Sequence, residues 1–401
     1  MPPAPRPVTD YPTVRIGLDR LLREGLPETW RRIGLLTHDA ARSPEHGDQP
    51  GRRVLLEAGI PLVRLFSPEH GLAANAPDGA SVPDGPDPLT GLPVTSLYGG
   101  RLAPLEKSLR DLDGLLVDLQ DIGCRHFTYI WTLFETMEAC GRAGLPVRVL
   151  DRPNPIGGDP SSAEGPFSQV ETAFAMRDSL PVRHSLTIGE LAAYWRATRF
   201  PQLELTVTAM TGWRRGFFHP ATELPFYQPS PAMPCWESAL FYPGTCLLEA
   251  TNLSAGRGTA EPFQIMGAPW LDAEPLAKKM RQCAGDWAEI EPAEFIPAAP
   301  PHLGEHCRGL RLRPIRPEKA RPVALGFHLL NLVLAAHPLE FRWATYPTAA
   351  NPSGENHFSK LTGRGNLTDR LQHGVSATEI TAWTDPRDWA TRTANHRIYP
   401  M

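Results

Sequence analysis

Ile60-Pro61-Leu62-Val63-Arg64-Leu65-Phe66-Ser67-Pro68-Glu69-His70-Gly71 is the stretch from which the fold is read. Its first half is short, apolar and partly β-branched, the pattern of a buried strand bounded by turn residues. Ser67 precedes a proline and is held extended, and Gly71 then frees the backbone to turn. Glu69 and His70 are left at a strand's carboxyl end, where open α/β sheets hold their ligands. A carboxyl beside an imidazole there is a candidate acid–base pair.

The same arrangement recurs on both sides of this run. Residues 32–37 read as a buried strand ending in His38 and Asp39, preceded by a short helix from Ile16 and followed by a helix at 50–58. Residues 114–120 form a near-continuous apolar strand of the kind buried on both faces. Polar residues gather at its end: Asp118, Gln120, Asp121, Arg125 and His126. An amphipathic helix at 127–141 leads to a strand at 147–150, which closes on Asp151-Arg152-Pro153-Asn154-Pro155. This rhythm predicts an α/β fold with a parallel sheet and right-handed crossovers. The expected layout is a Rossmann-like parallel-sheet domain over residues 1–165 and a second, smaller α/β domain over 166–401 that closes a cleft. Four strand ends would then share one edge and converge on one crevice.

Further along, residues 72–95 are a Gly/Pro/Asp-rich loop, long enough to predict a functional or mobile segment. A helix is expected at about 104–110. Thr187 and Glu190 match a capping box that opens a helix to about 198, and 203–208 alternates as a half-exposed strand does. Residues 211–270 are dense in Trp, Pro and Gly. Within them, small residues surround Glu249, Asn252 and Arg257, as suits a loop wrapped around a polar ligand, and exposed tryptophans fit sugar stacking. A strand at 308–313 and a helix at 322–336 follow. The last 55 residues show helix patterns and a polar tail with no evident chemistry.

Composition excludes several classes. With 401 residues, 41% hydrophobic and 21% charged, the chain can build a full core and is not disordered by composition. The net charge of −4, without a Lys/Arg block, predicts no nucleic-acid partner. The 44 prolines, about twice the usual share, predict stiff, ordered loops. None of the six cysteines is in a CxxC pair, so buried free thiols are expected rather than disulfides or zinc. No apolar run is long enough for a membrane span. The Pro-rich leader at 1–12 lacks an apolar h-region, so a cytoplasmic location is expected. Neither GxGxxG nor GxxxxGK[ST] is present, so no nucleotide cofactor is expected. His38, Asp39, His70 and Asp121 are metal-capable residue types, but no ligand spacing unites them and no metal is expected. Oligomeric state is left open.

Several segments taken together carry a resemblance. They are Phe66-Ser67-Pro68-Glu69-His70-Gly71, Ser96-Leu97-Tyr98-Gly99, the run Asp118 to Arg125, Thr128-Tyr129-Ile130, Leu150 to Pro155, Thr187-Ile188-Gly189-Glu190-Leu191 and the run Thr251 to Thr259. In this order, over about 14–375, they resemble the exo-β-N-acetylmuramidase family, of the glycoside hydrolase family 171 type. The resemblance implies a site in the cleft between a Rossmann-like domain and a smaller one. It also implies release of terminal N-acetylmuramic acid from the non-reducing end of peptidoglycan fragments, in cell-wall turnover and recycling, on a muramic-acid-terminated disaccharide or glycan. Three features depart from the family pattern. Ala232 stands where relatives usually carry asparagine, His126 and Phe127 stand in a stretch often Phe-Tyr or Tyr-Tyr, and many relatives carry an export signal.

The resemblance places the main catalytic carboxylate on Glu69. Glycoside cleavage uses two carboxylates around an oxocarbenium-like transition state, so Glu69 as general acid needs a raised pKa. Asp121, Asp118 and Glu249 are candidates for the second carboxylate, and an N-acetyl oxygen of the substrate can replace it. Asp118 has an equal reading as a bridge between backbone amides. His70 orients Glu69 or binds substrate. Arg125, Arg152 and Arg257 are the candidates for the lactyl carboxylate. Arg152 has a second reading, a pair with Asp151. Asn154, Gln120 and Asn252 are candidates for reading hydroxyls and the acetamido group, and Tyr98 and Tyr129 for stacking or donating. A rival reading is a non-catalytic muropeptide or sugar-binding sensor of the same fold.

Overall fold

The computed structural model describes residues 13–98, 103–169, 177–348 and 351–401. The Pro-rich leader and Gly99 of the Ser96–Gly99 motif lie outside the described residues. The apolar runs form one seven-stranded sheet of β1 (Ile33–Thr37), β2 (Leu62–Ser67), β3 (Gly85–Pro86), β4 (Pro93–Ser96), β5 (Gly114–Asp118), β6 (Val147–Leu150) and β7 (Leu205–Thr208). The order is β3-β4-β2-β1-β5-β6-β7, parallel throughout except the two-residue β3. Counted along the chain, the six parallel strands lie 3-2-1-4-5-6, the doubly wound order, whose switch point falls between β1 and β5.

Period-2 alternation decides which core each side chain enters. Ile33, Leu35, Leu116 and Leu150 face one core together with Leu18 and Leu21 of α1 (Gly17–Glu24) and Leu55 of α2 (Gly51–Glu57). Leu36, Leu115, Val117, Val147 and Val149 face the other, against α3 (Tyr129–Ala143) and α4 (Ile188–Thr198). Helices on both faces explain why these strands read as unbroken apolar runs. The α4 capping box forms as expected, with both reciprocal bonds between Thr187 and Glu190.

The second half builds α5 (Trp236–Thr245), β8 (Ile265–Ala268), α6 (Ala273–Ala284), β9 (Ala288–Phe295), β10 (Cys307–Pro314), α7 (Pro322–Ala336) and α8 (His357–Thr362). Its sheet is antiparallel, in the order β8-β10-β9. The larger core continues from Leu36 into Trp389, so the two halves share one interior. Among the described residues, no helix is long and apolar enough to cross a membrane. All six cysteines are free, four of them buried.

Four expectations change. Residues 93–96 join the sheet beside β2 rather than ending a loop, because pairing to an existing edge needs little apolar content. The helix expected at about 104–110 is a single 3-10 turn, Glu106–Ser108. Residues 236–245, within the Trp/Pro/Gly-dense stretch, form α5 despite Pro243 inside it; that helix is buried, so packing overrides propensity. The half-exposed strand at 205–208 lies in the parallel sheet, so the sheet continues past residue 165.

Candidate active site

Glu69 follows β2 by two residues, and the chain reverses at once. His70 and Ala74 adopt left-handed φ values of 66° and 54°. Such residues cost about 1–3 kcal/mol each and persist where the surroundings over-determine them. Here the His70 Nδ1–H donates to the Ala76 carbonyl at 2.8 Å, and the Asp39 N–H donates to the Leu72 carbonyl at 2.7 Å. A carbonyl only accepts, so Nδ1 of His70 carries a proton.

The turn presents a buried Glu69 carboxyl to two donors. The Gly79 N–H reaches Oε1 at 2.9 Å, and the Thr128 hydroxyl reaches Oε2 at 2.6 Å. Thr128 is the N-cap residue of α3 but makes no capping bond with its side chain; its hydroxyl is given to Glu69 instead. Gly79 has φ 69°, and a Cβ there would lie 2.8 Å from the Thr348 Cβ. Only glycine brings that N–H so close.

The Pro77-Asp78-Gly79 turn sets Asp78 against Glu69. One donor atom each of Glu69, His70 and Asp78 lies within 4.8 Å of the others, the one group of His, Cys, Asp or Glu among the described residues spaced to share a metal ion. Asp78 accepts from the Tyr346 hydroxyl at 2.6 Å and lies 3.5 Å from Arg257 Nη2. Arg257 in turn donates to Glu249 Oε1 from Nε at 2.7 Å and Nη2 at 2.6 Å, and lies over the Phe263 ring. Tyr242, Ser230, Ala232 and Thr348 help close a narrow cavity around these groups.

The two carboxyls are driven apart in pKa. Burial raises Glu69, and the Asp78 charge raises it further, against the opposing effects of His70, Thr128 and Gly79. Enclosure opposes ionisation of Asp78 too. There the Arg257 guanidinium, the Tyr346 hydroxyl and His70 prevail, and its pKa falls below the ordinary value. Burial raises Glu249 despite Arg257. Burial works against the Arg257 charge, yet Glu249 and Asp78 hold its pKa well above the usual value. Pairs of carboxyls separated in this way divide into a proton donor and an ionised partner.

Of the residues singled out from sequence, Glu69, His70, His126, Glu249 and Arg257 meet at this cavity, His126 with its Nε2 on the Leu361 carbonyl. Tyr98 is buried close by, and burial and the Glu69 charge push its phenol up. The others are engaged elsewhere. Asp118 is not a bridge between amides. It forms a buried bidentate pair with Arg152, Nε–Oδ1 2.6 Å and Nη2–Oδ2 3.0 Å. Arg152 meets Asp151 only through its backbone N–H. Asp151 also accepts from Thr187, Gly189 and Tyr399, and burial brings it to about 6. Asp121 accepts from the Gly123 N–H and faces His184 at 3.1 Å. Arg125 is buried among the carbonyls of Pro166, Leu180, Leu361 and Thr362, and burial lowers it to about 9.

Gln120 donates to the Asp121 and Pro153 carbonyls, and Tyr129 to that of Pro229. Asn154 bridges Leu186 and Ile156, and Asn252 bridges Glu340 and Arg342. Buried polar groups tend to find partners, and at these strand ends the neighbouring chain supplies most of them, though His38 Nδ1, Asp121 Oδ1 and Arg125 Nε have none among the described residues. The four ends therefore share an edge without forming one crevice. The alternative metal set is dispersed as well: His38 Nε2 accepts the Gln120 N–H, Asp39 pairs with Arg52, and Asp121 meets His184. Trp213 is buried against Tyr399, and none of the described residues lining the cavity is a tryptophan.

Sequence reasoning missed Asp78, the role of Thr128, and Tyr346, which falls just before the final 55 residues and was singled out for nothing. The Pro-Asp-Gly turn signature inside a long loop was the available signal for Asp78. Tyr346 had none, since its partner lies 268 positions away.

Family models for the N-terminal and C-terminal parts of the exo-β-N-acetylmuramidase NamZ match residues 33–237 and 240–399. The peptidoglycan β-N-acetylmuramidase NamZ of Bacillus subtilis is 35% identical over 372 residues, covering 92% of this chain and 87% of that protein. The crystal structure of a DUF1343 family protein from Bacteroides fragilis superposes with a TM-score of 0.83 at 29% identity, covering 96% of this chain and 99% of its own. A second protein of that family and organism shares the fold, with a TM-score of 0.69 at 24% identity and coverage of 97% and 99%. The chain belongs to the exo-β-N-acetylmuramidase NamZ family.

Proposed function

We propose that this chain is a glycosidase that releases terminal N-acetylmuramic acid from the non-reducing end of peptidoglycan fragments, with Glu69 and Asp78 as its working carboxyls. The observation that carries the assignment is the pair itself: two carboxyls with oxygens within 4.8 Å, one raised in pKa and the other lowered. Glu69, protonated, donates to the glycosidic oxygen as it leaves. Asp78, ionised, stabilises the oxocarbenium-like centre. Inverting enzymes separate their carboxyls by about 6.5–9.5 Å to admit a water between them, and retaining ones by about 5–5.5 Å. The shorter spacing here supports retention, with Asp78 or the substrate's acetamido oxygen attacking the anomeric carbon. Arg257 is the one arginine among the described residues lining the cavity, and its charge suits the lactyl carboxylate. That reading replaces Arg125 and Arg152, whose guanidinium groups are engaged elsewhere.

The test is hydrolysis of a chromogenic β-N-acetylmuramic acid glycoside beside the matching N-acetylglucosamine glycoside. Cleavage of the first alone is expected. Glu69→Gln is expected to lose about 10²–10⁴-fold in kcat, the usual contribution of a positioned acid, while still binding N-acetylmuramic acid. Retained turnover in that variant sinks the assignment, and a wild type inert toward both glycosides sinks the activity.

A further inference from the structure

Beside the narrow cavity lies a second, more open one, between Asp39, Arg42, Asn75, Phe226, Tyr227 and Gln228. Two short segments build both. In the turn after β2, Glu69 and His70 line the first cavity and Ala73, Ala74 and Asn75 line the second. In the segment 228–233, Ser230, Ala232 and Met233 line the first, while Gln228 and Pro231 line the second. The cavities are neighbours sharing two walls, and the left-handed residues His70 and Ala74 turn the chain from one to the other.

Their chemistry differs. The first holds Arg257 among three carboxyls and suits a charged sugar. In the second, the charged residues among the described lining are Asp39 and Arg42, one of each sign. Asp39 is ion-paired to Arg52. Arg42 donates to the carbonyls of Asp39 and Asp48 and lies 5.8 Å over the Tyr227 ring. The remaining lining offers aromatic surface from Phe226 and Tyr227 and amides from Asn75 and Gln228. Aromatic surface for the apolar face of a pyranose, with amides for its hydroxyls and no net charge, fits a neutral sugar.

We propose that this second cavity is the leaving-group subsite and takes the neutral N-acetylhexosamine expelled when the glycosidic bond at Glu69 is cut; the proposal rests on the glycosidase reading above. Asn75 and Ala73 are exposed and lie outside the acid–base pair. Asn75→Ala and Ala73→Trp therefore strip or block the subsite without entering the catalytic cavity.

The experiment compares kcat/KM on a β-1,4-linked N-acetylmuramic acid–N-acetylglucosamine disaccharide with that on N-acetylmuraminyl β-fluoride, whose leaving group fills no subsite. Both variants are expected to lose about tenfold or more on the disaccharide and to stay within about twofold of wild type on the fluoride. Equal losses on both substrates, or an unchanged disaccharide rate, overturn the subsite. A wild type that turns over neither substrate overturns the glycosidase reading instead, and the subsite with it.

Discussion

Asp78→Asn removes a charge beside Glu69 at almost constant shape, and the asparagine carbonyl can still accept from Tyr346. Burial, the larger cause of the raised Glu69 pKa, is left in place, while the Asp78 charge, the second cause, is abolished. The Glu69 pKa must therefore fall. Two unit charges at the limiting separation of 4.8 Å interact by about 3.5 kcal/mol at an effective dielectric of 20 and by about 0.9 kcal/mol in bulk water. The Asp78 side chain is 32% exposed, which favours the lower half of that range. A fall in the Glu69 pKa is therefore expected.

The assay is the pH dependence of kcat/KM, which reports the free enzyme's acid and base as macroscopic values of the pair. In the wild type the alkaline limb records loss of the Glu69 proton and the acid limb protonation of Asp78. In the variant the alkaline limb moves to lower pH, the acid limb vanishes, and the maximum falls by about 10²–10⁴-fold. An alkaline limb that stays in place or moves upward refutes the coupling.

Gly79→Ala forces an alanine to φ 69° with its Cβ 2.8 Å from that of Thr348. It is expected to cost about 1–3 kcal/mol in a chemical melt and to lower kcat by displacing the N–H from Glu69; an unchanged melt contradicts the strain argument. Burial pushes Glu164 to about 7, so between about 4.5 and 7 the native state keeps a proton that the unfolded chain has lost. Its contribution to stability falls by about 3 kcal/mol as pH rises through that window. Glu164→Gln should flatten this fall in urea melts at pH 5 and pH 8, and an unaltered slope argues against a proton held there. Activity should survive EDTA; loss restored by a divalent cation would make Glu69, His70 and Asp78 a metal site rather than an acid–base pair.

Much of the sheet was legible because period and punctuation are local properties. A run such as 114–118 is apolar on both faces wherever it sits in a doubly wound sheet, and Pro68 and Gly71 end β2 whatever packs against it. The edge strand at 93–96 and the helix at 236–245 were hidden for the opposite reason. One is shaped by pairing with β2 and the other by burial against α7, so neither needs strong local propensity.

Within the site the same division holds. The sequence by itself determined that an acid and an imidazole stand at the end of β2, that Thr187 and Glu190 cap α4, and, through its spaced segments, the family. Only the tertiary structure decided which polar residues remain available for chemistry. Asp118 and Arg152 look as catalytic in sequence as Glu69 does, yet they neutralise each other in the sheet edge. Arg125 is taken up by carbonyls as far away as Leu361 and Thr362, and Asp151 by Tyr399. Asp78, in a loop with no periodicity, is the proposed second carboxyl because Tyr346 and Arg257 reach it from the other half of the chain. Local pattern sets where a side chain points, but a buried charge is spent or kept free by whatever the fold brings within a few ångströms of it.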